Sequence, residues 1–123
     1  MERKEGTFTV AEILPLIGTT EDRERSNLDG DLVRLSSFRL RVFKDLGVTC
    51  QDCGLQGSFF AKERHTPNEP YHLNLYALEE TTGEEVLITH DHIIPLSKGG
   101  KKTYMGNIQV LCFPCNLKKG AKV

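Results

Sequence analysis

A chain of 123 residues is one domain at the usual ~100 to 200 residues per domain, so a second full core does not fit. Hydrophobic residues make up 38% and charged residues 27%, which excludes a disordered polyelectrolyte, and apolar runs such as Val86-Leu87-Ile88 fall far short of the ~18 residues of a membrane-spanning helix. The net charge of −1 is unevenly spread: residues 1–91 carry ten Lys/Arg against seventeen Asp/Glu, whereas residues 92–123 carry six Lys and no carboxylate, so the C-terminal quarter can present a basic surface. The stretch Ala11 to Ile17 is interrupted by Glu12 and Pro15, unlike a signal peptide. Four cysteines without an export signal are expected to be reduced thiols in a soluble cytoplasmic protein.

Thr9 and Glu12 have the T-x-x-E spacing of a capping box, and Val10, Ile13, Leu14 and Ile17 follow at helical intervals. That pattern predicts a short helix from about residue 9, limited by Pro15 and ended by Gly18. Thr19 to Asn27 reads as a loop. Leu28, Leu32, Leu35, Phe38, Val42 and Leu46 then recur every three or four positions before Gly47, which predicts an amphipathic helix over 31–46. Arg34, Ser37, Arg41 and Lys44 share another side of it, and this basic stripe suits either a nucleic-acid backbone or plain solvent. Residues 1–49 are therefore expected to be a helical segment, with Arg34 and Arg41 as its candidate nucleic-acid contacts.

Residues 71–78 alternate as a strand does, 81–85 make a turn at Gly83, and 86–94 continue as a second strand. A further pairing is predicted between 87–94 and 107–111 across the Gly99-Gly100 loop, with a short helix beginning near Cys115. Phe59 and Phe60 read as core, and His65 and His72 as surface or hairpin residues.

Cys50-Gln51-Asp52-Cys53 and Cys112-Phe113-Pro114-Cys115 are two C-x-x-C hooks. Four thiolates in two tight hooks suit tetrahedral Zn²⁺ in a structural role, and Gly54 fits the turn after the first hook. The competing readings are a redox pair, a disulfide, or inert buried thiols.

The most informative stretch is Thr89-His90-Asp91-His92-Ile93-Ile94-Pro95-Leu96-Ser97-Lys98-Gly99-Gly100, followed by Asn107 and then Cys112-x-x-Cys115-Asn116-x-Lys118. It resembles an HNH endonuclease of the ββα-metal class, whose pattern is D-H-I-x-P, a Gly-Gly loop, an internal Asn and a final C-x-x-C-[HN]-x-x-K. The resemblance covers about residues 50–123, with Asn116 where many members have His. It implies an α+β fold, a small zinc-stapled ββα-metal domain over 50–123, preceded by the helical segment 1–49.

By the same resemblance, His92 is the general base that activates water. Asp91 and Asn116 hold one Mg²⁺ or Mn²⁺, Asn107 fixes the loop behind His92, and Lys118 contacts DNA phosphates. Lys119 and Lys98 join that contact on charge alone. The chemistry is self-consistent, because phosphodiester hydrolysis needs a base that works near neutral pH and a hard cation with oxygen ligands. On a regular strand, however, Asp91 and His92 point to opposite faces while His90 and His92 share one. The family arrangement thus requires a twisted or terminating strand, and otherwise His90 stands as the alternative partner of His92. The expected function is metal-dependent DNA endonuclease. The alternative is a non-cleaving, zinc-stabilised DNA-binding or accessory module of a larger nucleic-acid machine. One site cuts one strand, so double-strand cleavage would call for a homodimer or a larger complex.

Overall fold

The computed structural model describes residues 1–120; the last three residues of the unit expected over 50–123, including Lys122 of the basic quarter, lie outside the described residues. The chain is a mixed α+β fold built on a five-stranded antiparallel sheet in the order β1-β4-β5-β6-β7. Its strands are β1 (Glu2–Thr9), β4 (Gly57–Arg64), β5 (His72–Leu78), β6 (Glu85–His92) and β7 (Ile108–Cys112). A separate two-stranded hairpin pairs β2 (Arg25–Leu28) with β3 (Asp31–Arg34). Three short helices complete the fold: α1 (Val10–Ile13), α2 (Phe38–Leu46) and α3 (Phe113–Lys119).

The capping box is present, with Thr9 Oγ1 accepting from Glu12 N at 3.0 Å and Glu12 accepting from Thr9 N at 2.8 Å. After one turn of α1 the chain tightens into a 3₁₀ turn at Leu14–Leu16, where Pro15 can donate no backbone hydrogen bond. The expected helix over 31–46 is helical only from Phe38. Asp29 (φ 52°) and Gly30 (φ 95°) place two successive residues in the left-handed region. That is the geometry of a tight hairpin turn, and it makes Asp31–Arg34 a strand. Ser37 then starts α2 by accepting from Leu40 N. The N-terminal segment is therefore not predominantly helical, and Arg34 and Arg41 stand on different elements instead of on one helical stripe.

The core lies on one face of the sheet. Leu40, Val42 and Phe43 of α2 are buried there, with Phe43 edge-to-face with Phe60 of β4 at 6.4 Å between centroids. Leu73, Leu75, Ile88, Ile108 and Val110 complete it; each large side chain so buried contributes roughly 1.5 to 3 kcal/mol before entropy is counted. Lys62, only 1% exposed, ties the hairpin to the sheet. Its ammonium donates to Leu28 O (2.7 Å), Asp29 O (3.2 Å) and the Asp31 carboxylate (2.8 Å), so the buried charge is fully partnered. Among the described residues no helix is long and apolar enough to cross a membrane.

Candidate metal centre and catalytic site

The two hooks meet. Cys50 and Cys53 lie in the turn before β4, closed by Gly54 N donating to Cys50 O at 3.0 Å with Gly54 at φ 82°. Cys112 ends β7 and Cys115 sits in the first turn of α3. Gln51 locks the first hook onto β7: its N–H donates to Val110 O at 2.8 Å and its Oε1 accepts from Val110 N at 2.7 Å. All four sulfurs lie within 4.8 Å of one another. Cys53 and Cys112 Sγ are 3.7 Å apart, against about 3.8 Å for the edge of a tetrahedron with metal–sulfur bonds of ~2.3 Å. The four cysteines are thus placed to hold one metal ion such as zinc. Around Cys50, burial raises the thiol's pKa but the N–H groups of Cys53, Cys112 and Asp52 outweigh it and bring it down to about 6. Burial, followed by the neighbouring sulfurs, pushes Cys115 up. Sulfurs this close ionise together only around a cation.

The hook, β6 and α3 enclose the second group of residues. β6 pairs with β7 in unbroken register from Ile88↔Cys112 to His92↔Ile108, so the side chains alternate faces. His90 and His92 share the face that looks toward α2, their rings edge-to-face at 6.3 Å, with Phe38 at 6.0 Å from His90. Thr89 and Asp91 share the other face, where α3 packs. Asn116 Nδ2 donates to Thr89 Oγ1 at 2.8 Å and to His90 O at 3.4 Å. Lys119 Nζ lies 2.8 Å from Asp91 Oδ2 and donates to His92 O at 3.1 Å. Asp91 and Asn116 are therefore brought to one side, and His92 to the strand's end, where β6 stops two residues short of the expected Ile94.

Asp91 Oδ2 is buried and, despite the nearby ammonium, accepts no well-directed hydrogen bond. A carboxylate oxygen held against a positive charge without a directed donor suits a hard cation. Asn116 turns its amide nitrogen to the strand, which leaves the amide oxygen as its free end.

Behind His92, Asn107 is 7% exposed and knits the connecting loop. Its Oδ1 accepts from Ile94 N at 2.8 Å, and its Nδ2 donates to Ile94 O at 3.1 Å and Lys101 O at 3.0 Å. The next carbonyl, Lys102 O, is 2.9 Å from His92 Nε2. A carbonyl only accepts, so Nε2 carries the proton and Nδ1 of the neutral ring holds the free lone pair. Gly100 is needed for this closeness, because a Cβ there would lie 1.7 Å from Ile94 O and 2.9 Å from Asn107 Nδ2. Neither Lys102 nor Thr89 carries a sequence signal for these contacts. The Gly99-Gly100 pair does mark the loop. His90 is held below its ordinary pKa, first by burial and then by the charges of His92 and Arg39.

Lys98 and Lys118 are exposed. Lys119 is instead turned inward onto Asp91. Arg34 and Arg41 converge on Asp22, at 3.1 and 4.0 Å.

Residues 79–123 match the family model described as HNH endonuclease. No curated protein and no solved structure matches the chain.

Proposed function

We propose that the chain is a metal-dependent endonuclease that hydrolyses DNA phosphodiester bonds, with residues 50–123 as its nuclease unit and residues 1–49 adding DNA contacts. The observation that carries this reading is the chain of contacts from Asn107 through the Lys101–Lys102 backbone to His92 Nε2, next to a face that holds Asp91 and Asn116, all within the stretch that matches the family.

In this reading His92 Nδ1 removes a proton from the attacking water. The water oxygen bonds to phosphorus as the bond to the 3′ oxygen breaks, and the departing 3′ oxygen takes a proton from solvent water, leaving a 5′ phosphate and a 3′ hydroxyl. A positioned base of this kind is worth ~10² to 10⁴ in rate. Asn107 is a positioning residue: it holds Lys101 O, one residue before the Lys102 carbonyl that fixes the ring's tautomer and aim. Asp91 and Asn116 would hold one Mg²⁺ or Mn²⁺, which when bound stabilises charge on the phosphoryl and leaving oxygens. Lys118 and Lys98 supply phosphate contacts as point charges. Lys119 can join them only when its pair with Asp91 opens. The cysteine cluster would hold Zn²⁺ as a staple between the β4 turn and α3.

A second reading is favoured by one observation. Lys119 already neutralises Asp91, and the regular strand sets His92 beside His90 rather than beside Asp91. That arrangement suits a zinc-stabilised DNA-binding or accessory module that does not cut. Supercoiled plasmid separates the two. The nuclease reading expects relaxed circles from zinc-loaded protein only when Mg²⁺ or Mn²⁺ is added, and DNA binding without relaxation supports the accessory module.

A further inference from the structure

Lys119 holds the carboxylate that the proposed divalent ion needs. Its ammonium lies 2.8 Å from Asp91 Oδ2 and donates to His92 O at 3.1 Å. Both side chains of the pair are 18% exposed, so the contact is screened less than an ion pair in open water. Asp91 Oδ2 nevertheless accepts no directed hydrogen bond. The lysine therefore balances the charge of this oxygen and leaves its lone pairs unused.

One helix creates the arrangement. Asn116 and Lys119 are three residues apart on α3 and share a side of it, so the amide that bonds Thr89 and the ammonium that meets Asp91 reach β6 together. An ammonium and a divalent ion cannot both sit at that carboxylate without cost. At about 4 Å, even in the dielectric of bulk water, the repulsion lowers affinity for the ion roughly 30-fold, and a half-buried site enlarges that factor. Room for the lysine to leave is present. A cavity of about 250 Å³ is lined by Lys119 together with Asp52 of the first hook and Gln109, and Gln109 stands directly across from Asp91 in the β6–β7 register. The cavity thus opens on the face that carries Asp91, with a second carboxylate residue on its wall. A lysine's flexible stem allows the swing.

We propose that Lys119 is a gate on the metal position, a positioning residue that holds Asp91 in the ion-free chain and must swing off it into this cavity for Mg²⁺ or Mn²⁺ to bind. The proposal rests on the reading of Asp91 and Asn116 as the ion's ligands. One cation replaces another, so Asp91 is never left as an uncompensated half-buried charge. The lysine, rather than the carboxylate or the amide, then sets how much divalent ion the site requires. The ion pair that suits a non-cutting module becomes the closed state of a cutting one.

The test measures Mn²⁺ binding directly, by loss of the free ion's electron paramagnetic resonance signal, with the full chain zinc-loaded so that the hooks are filled. Lys119→Met and Lys119→Gln remove the charge, and each is expected to bind Mn²⁺ about tenfold or more tightly than the native chain. Lys119→Arg keeps the charge and should stay near the native affinity. Adding Asp91→Asn to Lys119→Met should abolish the gain. Native affinity in both Lys119→Met and Lys119→Gln, a gain that survives Asp91→Asn, or no Mn²⁺ binding by any of these chains overturns the gate. Plasmid nicking is scored separately. Nicking by the native chain with Mn²⁺ affinity unmoved by Lys119→Met sinks the gate and leaves the nuclease reading standing, whereas the tenfold gain without nicking by the native chain supports the gate and sinks the nuclease.

Discussion

Asn107 has one side-chain amide and commits both ends of it to the loop between β6 and β7. The consequence is felt six residues away, where Lys101 O is held and Lys102 O meets the His92 ring. Asn107→Asp keeps the acceptor for Ile94 N but loses both donations, so two part-buried carbonyls, Ile94 O and Lys101 O, lose their partner. At ~1 to 3 kcal/mol for a buried polar group left without its partner, urea unfolding should show a loss of about 2 kcal/mol. Cleavage at saturating DNA should fall further than stability explains, because the ring is no longer aimed. An unchanged urea midpoint would show that the loop does not depend on this amide. Asn107 was legible as a loop residue only through the resemblance to the HNH pattern, which has an internal Asn at this place. The partner carbonyl was not, since any residue at 102 supplies one. Asp91 was legible as an acid beside His92, but its pairing with Lys119 depends on how α3 lies across β6, which no local pattern encodes.

Among the elements, the hooks are the strongest constraint. Cys50 and Cys53 join Cys112 and Cys115 across β7 and α3, and α3 is only seven residues long with no side-chain cap, too short to hold its shape by propensity alone. Removing metal from the cysteine cluster should therefore unravel α3 and release the end of β7. By the scale of structural zinc sites, ~10 kcal/mol of apparent binding energy is coupled to folding, so a chelator should lower the melting temperature and expose four reactive thiols. Melting that ignores both chelator and added Zn²⁺ would mean the cluster holds no structural metal. The hooks were legible from spacing, as were β5, β6, β7 and α3 to within a residue or two. The hairpin was misread, although its signal was present: Asp29-Gly30 is a turn dipeptide, and the three- and four-residue recurrence of Leu28, Leu32 and Leu35 ran straight through it. In a four-residue strand, helical spacing and strand alternation are satisfied by overlapping sets of leucines.

At the scale of the whole molecule, β1 brings the N-terminus into the same sheet as β4 to β7. Its sequence, Glu-Arg-Lys-Glu-Gly-Thr-Phe-Thr, shows no apolar face because it is an edge strand held by charge. Arg3 pairs with Glu63 of β4 at 2.8 Å and Glu85 of β6 at 2.7 Å, and its guanidinium lies over Tyr76 at 4.8 Å. Burial alone would raise the Glu63 carboxyl, but hydrogen bonds from Tyr76, Asn74 and Arg3 outweigh it and hold the group below its ordinary 4.5. A depressed folded pKa means that the unfolded chain takes up the proton first. The stabilisation is therefore present above pH 4.5 and lost as pH falls through the folded value. Glu63→Gln should lower stability at neutral pH and flatten the acid side of the stability profile, while an equally steep profile in the variant would assign acid sensitivity elsewhere. Edge strands and long-range ion pairs of this kind leave no trace in a window of neighbours, which is why β1 was not foreseen; β4 was foreseen only as the core residues Phe59 and Phe60, whereas β5, β6 and β7 were read as strands.

Everything proposed for this chain meets at the His92 ring. The most direct measurement is single-turnover cleavage of labelled DNA by the zinc-loaded native chain and by His92→Ala, in Mg²⁺, at protein concentrations where both bind equally. A general base predicts a rate loss of ~10² to 10⁴ with affinity unchanged. Equal rates from the two proteins would contradict it.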